Sequence, residues 1–330
     1  MAMNPLLRSG CRVTGAVACV LGVAWLALAQ PSFRKNRPSA HHIDPLRLRK
    51  HVTMLSQGLY PRDWRATANL DKCADYIGEN FRHSGAQVEI QSFFLGNRTY
   101  KNVIGRFNPG NGPRIIVGAH YDACGTTPGA DDNASGVASL LELASLLGSS
   151  APNSPVDLVA YTLEEPPFFR TSEMGSAVHA KSISADKSNY RGVIVLEMVG
   201  CFKDQWGSQS YPMPLLRLFY PNRGNFVSVV GRWDQGEWVK AVKSGMQGTT
   251  QLPVYSIRAP ESVPGIDFSD HMNYWPYGIP AVMITDTAFY RSKTYHENDD
   301  TVEKLDFDRM AQVVVALFEA TQQMAKGSAK

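Results

Sequence analysis

Apolar runs of strand length alternate with longer amphipathic stretches from about Ile43 onward, the mark of an α/β chain. Four runs are apolar almost throughout: Arg114–His120 (RIIVGAH), Val156–Thr162 (VDLVAYT), Gly192–Met198 (GVIVLEM) and Pro280–Thr285 (PAVMIT). Strands of that kind are covered on both faces, which predicts a mostly parallel central sheet between helices. Val88–Leu95 and Lys101–Phe107 read as an antiparallel pair. Helical spacing runs through Asp44–His83, Ala134–Leu147 and Phe307–Met324, the last capped by Asp306. No internal repeat and no Gly/Ser- or Pro-rich linker divides the chain after residue 45. A single mixed α/β domain over residues 45–330 is expected.

The first 29 residues have a different pattern. Arg8 and Arg12 precede a run without charge from Val13 to Ala29, and Ala27-Leu28-Ala29 has the small-x-small spacing of a signal-peptidase site. Residues 1–29 therefore read as a signal peptide cut before Gln30, with an uncleaved signal anchor as the alternative. Residues 30–44 read as a tether. The folded domain is expected outside the cytoplasm: exported, or membrane-anchored through this segment.

Composition narrows the functional classes. The chain has 330 residues, 44% hydrophobic and 19% charged, which excludes disorder and coiled coil. Its net charge of +3 falls to +1 without the two leader arginines, so no nucleic-acid footprint follows. Beyond the leader, three cysteines remain (Cys73, Cys124 and Cys201), enough for at most one internal disulfide and too widely spaced for a zinc knuckle. They are expected to be buried small hydrophobes.

The chemistry lies where buried-type strands run into acid or histidine. RIIVGAH ends in His120-Tyr121-Asp122, and the next loop carries PGADDNASG, residues 128–136, straight into a helix. VDLVAYTL leads to Glu164-Glu165, GVIVL to Glu197, and Tyr295-His296-Glu297 follows the PAVMIT strand after a loop. Ligands of open α/β sheets bind at such carboxyl ends. Unpaired charge at the end of an apolar strand costs several kcal/mol, so successive acids on one rim with two imidazoles call for cations.

The ordered set HYD, PGADDNASG, EE, LEM and YHENDDT closely resembles the M28 zinc peptidases, from about Tyr100 to Met324. The resemblance implies the zinc-peptidase (phosphorylase/hydrolase-like) fold and two Zn2+ ions per chain. Position by position it implies His120 and His296 as terminal ligands, Asp132 as the bridging carboxylate before a cis Asp132–Asn133 bond, and Glu165 and Glu197 as the remaining ligands. Glu164 matches the general base. Tyr295 matches a position whose hydroxyl can bind a developing oxyanion. Asp122 and Asp300 are the carboxylates expected to hold His120 and His296. Glu197 stands where many relatives have Asp, and Pro166–Thr171 extends the segment after the glutamate pair, as surface loop or as pocket lining. Ser269 reads as a helix N-cap. His41, His42, His51, His83, His179 and His271 are not expected among the ligands.

The function implied is a dizinc aminopeptidase acting on peptides with a free N-terminus, with Phe168, Phe169 and Tyr295 as an apolar wall. The alternatives are a glutaminyl-peptide cyclotransferase, a carboxypeptidase, which would need a basic clamp that nothing singles out Arg170 or Arg291 to supply, and a binding module of the same fold without metals.

Overall fold

The computed structural model describes residues 5–32, 36–108, 110, 112–150, 152 and 154–326. Residues 1–4 of the leader, 33–35 of the expected tether and 327–330 of the expected domain lie outside the described residues. One eight-stranded sheet organises the chain: β1 (Gln87–Leu95), β2 (Arg98–Phe107), β3 (Arg114–His120), β4 (Val156–Tyr161), β5 (Tyr190–Glu197), β6 (Val227–Arg232), β7 (Val254–Ala259) and β8 (Ala281–Thr285). Their spatial order is β1-β2-β4-β3-β5-β8-β6-β7. The four central strands β4, β3, β5 and β8 run parallel, so their carboxyl ends share one rim. β1 and β2 are antiparallel, as expected, and β6 is antiparallel to β8 but parallel to β7.

The apolar runs are buried on both faces, and side-chain alternation sorts them between two cores. Ile115, Val117, Leu158, Ile194 and Ile284 pack into the larger one, with α2 (Pro45–Thr53), α3 (Thr67–His83), α4 (Gly136–Ser150), α6 (Gly236–Met246) and α7 (Phe307–Lys326). Ile116, Val159, Val193 and Met283 face the other, with α5 (Gly175–Ile183) and the 3-10 segment Asp270–Tyr277. Gly118 is required on β3, since a Cβ there would lie 2.3 Å from the Tyr161 ring. Arg309 N–H donates to Asp306 Oδ1 (2.9 Å), so Asp306 caps α7 as expected.

The segment ahead of the domain runs along it. Among the described residues, no helix is long and apolar enough to cross a membrane. The stretch read as a tether is laid along the domain: Arg37 and Ser39 donate backbone N–H groups to Gly248 O (3.1 Å) and Thr249 O (2.8 Å), and Ile43 is buried in the larger core. Ahead of it runs α1 (Pro5–Ala29), whose end meets the sheet edge at β7.

Candidate metal centre

Parallel strand ends bring His120, Glu164, Glu165 and Glu197 to one side of the sheet, and all four are buried. Asp132 comes from the loop between β3 and α4, and His296 from the loop after β8. Asp132 sits between the imidazoles, with Oδ1 3.4 Å from His120 Nε2 and Oδ2 3.2 Å from His296 Nε2. Glu197 Oε2 is 3.3 Å from His120 Nε2, and Glu165 Oε2 is 3.1 Å from His296 Nε2. Two donor sets, His120/Asp132/Glu197 and His296/Asp132/Glu165, thus share one carboxylate. Glu164 stands beside the first, with Oε2 3.8 Å from His120 Nε2.

The loop carrying Asp132 is held from several directions. Arg62, buried, donates to Leu55 O (2.6 Å), Tyr121 O (2.9 Å), Gly129 O (2.8 Å) and Pro128 O (3.0 Å), clamping the turns after β3. Gly129 is left-handed, with φ 58°. The Asp132–Asn133 peptide is cis. Asn133 ties the loop to the end of β5: its Nδ2 donates to Leu196 O (2.8 Å), and its Oδ1 accepts from Met198 N (3.1 Å) and Gly136 N (3.1 Å). Asp131 points elsewhere and accepts from Gly200 N (2.9 Å).

The two carboxylates assigned to the imidazoles work mainly on backbone. Asp300 does not reach His296 as a partner; it accepts from the N–H groups of Asp131 (2.9 Å) and Asp132 (3.0 Å) and so fixes the bridging residue. Asp122 Oδ1 is 3.5 Å from His120 Nδ1, farther than the Asp122 carbonyl oxygen at 3.2 Å. Its carboxylate accepts instead from Glu164 N (3.2 Å) and Glu165 N (3.1 Å), aiming both glutamates. The reason is common to both: turns around a site leave N–H donors that need acceptors, and a carboxylate meets two at once.

Sequence reasoning missed three residues here. Arg62 lies far from every motif. Ser269, expected as a helix cap, makes no capping bond and donates Oγ to Glu197 Oε2 (2.7 Å). Cys124, expected as a buried hydrophobe, is half-exposed and brings Sγ into a group with Glu165 and His296 donors, all within 4.8 Å of one another. Cys73 and Cys201 are buried, and the cysteines at 19, 73, 124 and 201 are all free.

The electrostatics are those of a cation site. Burial opposes charging His120, but the Glu197, Glu164, Asp122 and Asp132 carboxylates outweigh it and push the imidazole well above its usual range. Burial, then the Asp132 charge, pushes Glu165 up to about 8, and burial with neighbouring Glu197 and Glu165 pushes Glu164 well up. Burial likewise raises the Tyr295 hydroxyl. His120 Nε2 and Glu165 Oε1 are buried without a hydrogen-bond partner. Orphaned donor atoms converging with a shared carboxylate fit divalent cations of His/carboxylate preference.

Beside the rim lies an apolar pocket. Glu197 and Tyr295 stand on its wall with Phe268, Phe289, Tyr290 and Met283. Tyr295 stacks on His296, with ring centroids 3.8 Å apart. Phe168 and Phe169 do not line this pocket: Phe168 packs on Trp64, and Phe169 backs Phe268 from outside. Arg170 pairs with Asp267, and Arg291 is buried, donating to Gln209 Oε1 (3.0 Å) and Cys201 O (3.0 Å). Neither arginine lines the pocket.

Residues 102–321 match the model of Peptidase family M28. The chain belongs to this peptidase family. It is 47% identical over 293 residues to the uncharacterized protein YfbL of Escherichia coli, covering 86% of this chain and 90% of that one. It is 29% identical over 241 residues to a probable leucine aminopeptidase of Trichophyton verrucosum, covering 68% of this chain and 57% of the relative, little more than half its length. Among solved structures, a Zn-dependent exopeptidase from Parabacteroides distasonis superposes with a TM-score of 0.65 at 21% identity, covering 86% of this chain and 99% of that chain. The mixed sheet with helices on both faces is that fold, so the fold and the family expected from the motifs both stand.

Proposed function

We propose that this peptidase is a dizinc aminopeptidase that removes N-terminal residues outside the cytoplasm. The observation that carries the reading is Asp132, whose two oxygens face different imidazoles, each accompanied by its own glutamate. His120, Asp132 and Glu197 would hold one zinc, and His296, Asp132 and Glu165 the other. Bound zinc supplies Lewis acidity and lowers the pKa of water.

Glu164, buried with Oε2 3.8 Å from His120 Nε2, stands where a general base would meet the attacking water. It accepts a proton as water oxygen attacks the scissile carbonyl carbon, then delivers that proton to the amine as the C–N bond breaks. The Tyr295 hydroxyl, kept protonated by burial, can donate to the developing oxyanion. Glu164 and Glu197 attract the substrate's α-ammonium, and the apolar pocket receives the first side chain. A carboxypeptidase needs a free basic clamp, and Arg170 and Arg291 are already paired or buried.

The test is a matched trio of peptides with leucine or phenylalanine first: free, N-acetylated and C-amidated, alongside metal analysis. We expect about two zincs per chain, loss of turnover on acetylation and tolerance of amidation. Cleavage of the acetylated peptide, or selective loss on amidation, moves the chain to carboxypeptidase chemistry. One zinc with cyclisation of N-terminal glutamine moves it to the cyclotransferases, and absence of metal to the binding modules.

A further inference from the structure

The end of α1 is built into the sheet edge. Arg258 Nε donates to Ala27 O (2.7 Å), Ser256 Oγ to Ala29 O (2.9 Å), and Lys243 Nζ to Ala29 O (3.0 Å) and to Gln30 O. Gln30 Nε2 donates to Gly236 O (3.0 Å). Lys243 is only 2% exposed, so these carbonyls replace much of the water its ammonium has lost.

The side chains continue the same contact. Ala29 is buried with Leu216 and Tyr220, and Leu28 packs on that cluster together with Ile257. Leu216, Tyr220 and Ile257 also line the apolar pocket beside Glu197. Tyr220 Oη in turn donates to Ser256 O (2.7 Å), the residue whose hydroxyl holds Ala29. Leu216, Tyr220 and Ile257 thus belong both to the pocket lining and to the cluster that holds the end of α1.

Scission of the Ala29–Gln30 bond, which the small-x-small spacing invites, would remove the Ala27 and Ala29 carbonyls. Arg258, Ser256 and Lys243 would each lose an acceptor, at the cost that attends buried donors left unmade. The new α-ammonium of Gln30 would stand beside Lys243, whose ammonium bonds the Gln30 carbonyl. Leu216 and Tyr220 would be opened to water from behind.

We propose that the chain keeps α1, and that Ala27–Gln30 are part of the folded domain and the rear wall of the substrate pocket. The wall role rests on the aminopeptidase reading; retention does not. The full chain is produced in an exporting bacterium, and its intact mass and N-terminal sequence are read. Retention requires a product that begins upstream of Ala27, and a homogeneous product beginning at Gln30 overturns it.

The wall is read in the full chain by Leu28→Ala, with Leu28→Met as its conservative partner, on leucine and alanine amides. Leu28→Ala is expected to raise KM for the leucine amide three- to tenfold, with KM for the alanine amide and both kcat values within twofold of the parent. Leu28→Met should stay within twofold throughout. Equal losses on both amides overturn the wall role. If the unmodified chain hydrolyses neither amide, the wall role falls with the aminopeptidase reading, while retention, read by mass, still stands.

Discussion

The charged rim and the apolar pocket beside it are built by opposite means. On the rim, Asp122 and Asp300 each accept two backbone N–H groups, Asn133 joins the Asp132 loop to the end of β5, and Arg62 clamps four carbonyls. The pocket is enclosed by aromatic and aliphatic side chains from β6, β7, β8 and their loops, packed ring against ring as in Phe268–Phe289 and Phe289–Tyr295. A rim atom displaced by an ångström loses a ligand or a proton path, whereas an apolar wall tolerates exchange of similar volumes. Rim variants should therefore act on turnover, metal and folding, and pocket variants on selectivity.

The sharpest break is Glu164→Gln, expected to keep both metals and lose about three orders of magnitude in kcat. Metal analysis beside kinetics checks it, and loss of metal there with retention in Glu165→Gln would exchange the two roles. Next is Arg62→Met, which strips four carbonyls of a buried cation and should cost about 3–5 kcal/mol in denaturant unfolding. An effect under about 1 kcal/mol would mean that the rim loops hold without their clamp.

Two variants separate rim from pocket more finely. Ser269→Ala removes the hydroxyl bonded to Glu197 and should weaken binding of one of the two metals about tenfold, measured by competition with a chelator. Phe289→Ala should lower kcat/KM for leucine amide relative to alanine amide by about tenfold, without change in metal content. Equal losses on the two amides would place Phe289 with the rim and not the pocket.

The remaining test is a pH dependence. Glu165, near 8 in the folded metal-free chain and near 4.5 when unfolded, holds a proton in the folded state that the unfolded chain releases across that window. Asp300, pushed to about 7 by burial and the Asp131 charge, acts the same way above 3.8. Folded protein binds the extra protons, so metal-free stability should fall as pH rises from 5 to 8, with a lower melting temperature at the upper end. Added zinc should reverse the slope, because it takes the place of those protons. A metal-free melting temperature that rises over this range would refute the buried-carboxylate account.

Much of this was legible in the chain. Strands buried on both faces announce themselves as continuous apolar runs, so β3, β4, β5 and β8 could be read directly, and a charge at the end of such a run needs a reason. That is why His120, Glu164, Glu165 and Glu197 stand out in linear order, whereas Asp132, in a loop beside a second aspartate, and His296, in a loop beyond β8, were assigned by the family resemblance. β6 and β7 did not stand out. VSVVGR and VYSIRA are short and interrupted by polar residues, and their pairing at the sheet edge depends on β8 already being in place. Of the three aromatics expected as the apolar wall, Tyr295 does line the pocket that β6 and β7 help to form, while Phe168 and Phe169, near the motifs in sequence, are packed away from it.

What the sequence by itself determined is the kind of donor at each strand end and the order in which the donors arrive, because residue type and strand burial are local properties of the chain. Tertiary structure alone decided what each acid and cation does. Asp300 holds the backbone of Asp131 and Asp132 and not His296, Ser269 serves Glu197 in place of a helix end, and Arg62 reaches carbonyls up to 67 residues away. Such roles depend on which N–H and C=O groups the folded turns leave unpaired, and that number exists only once the loops have closed on one another.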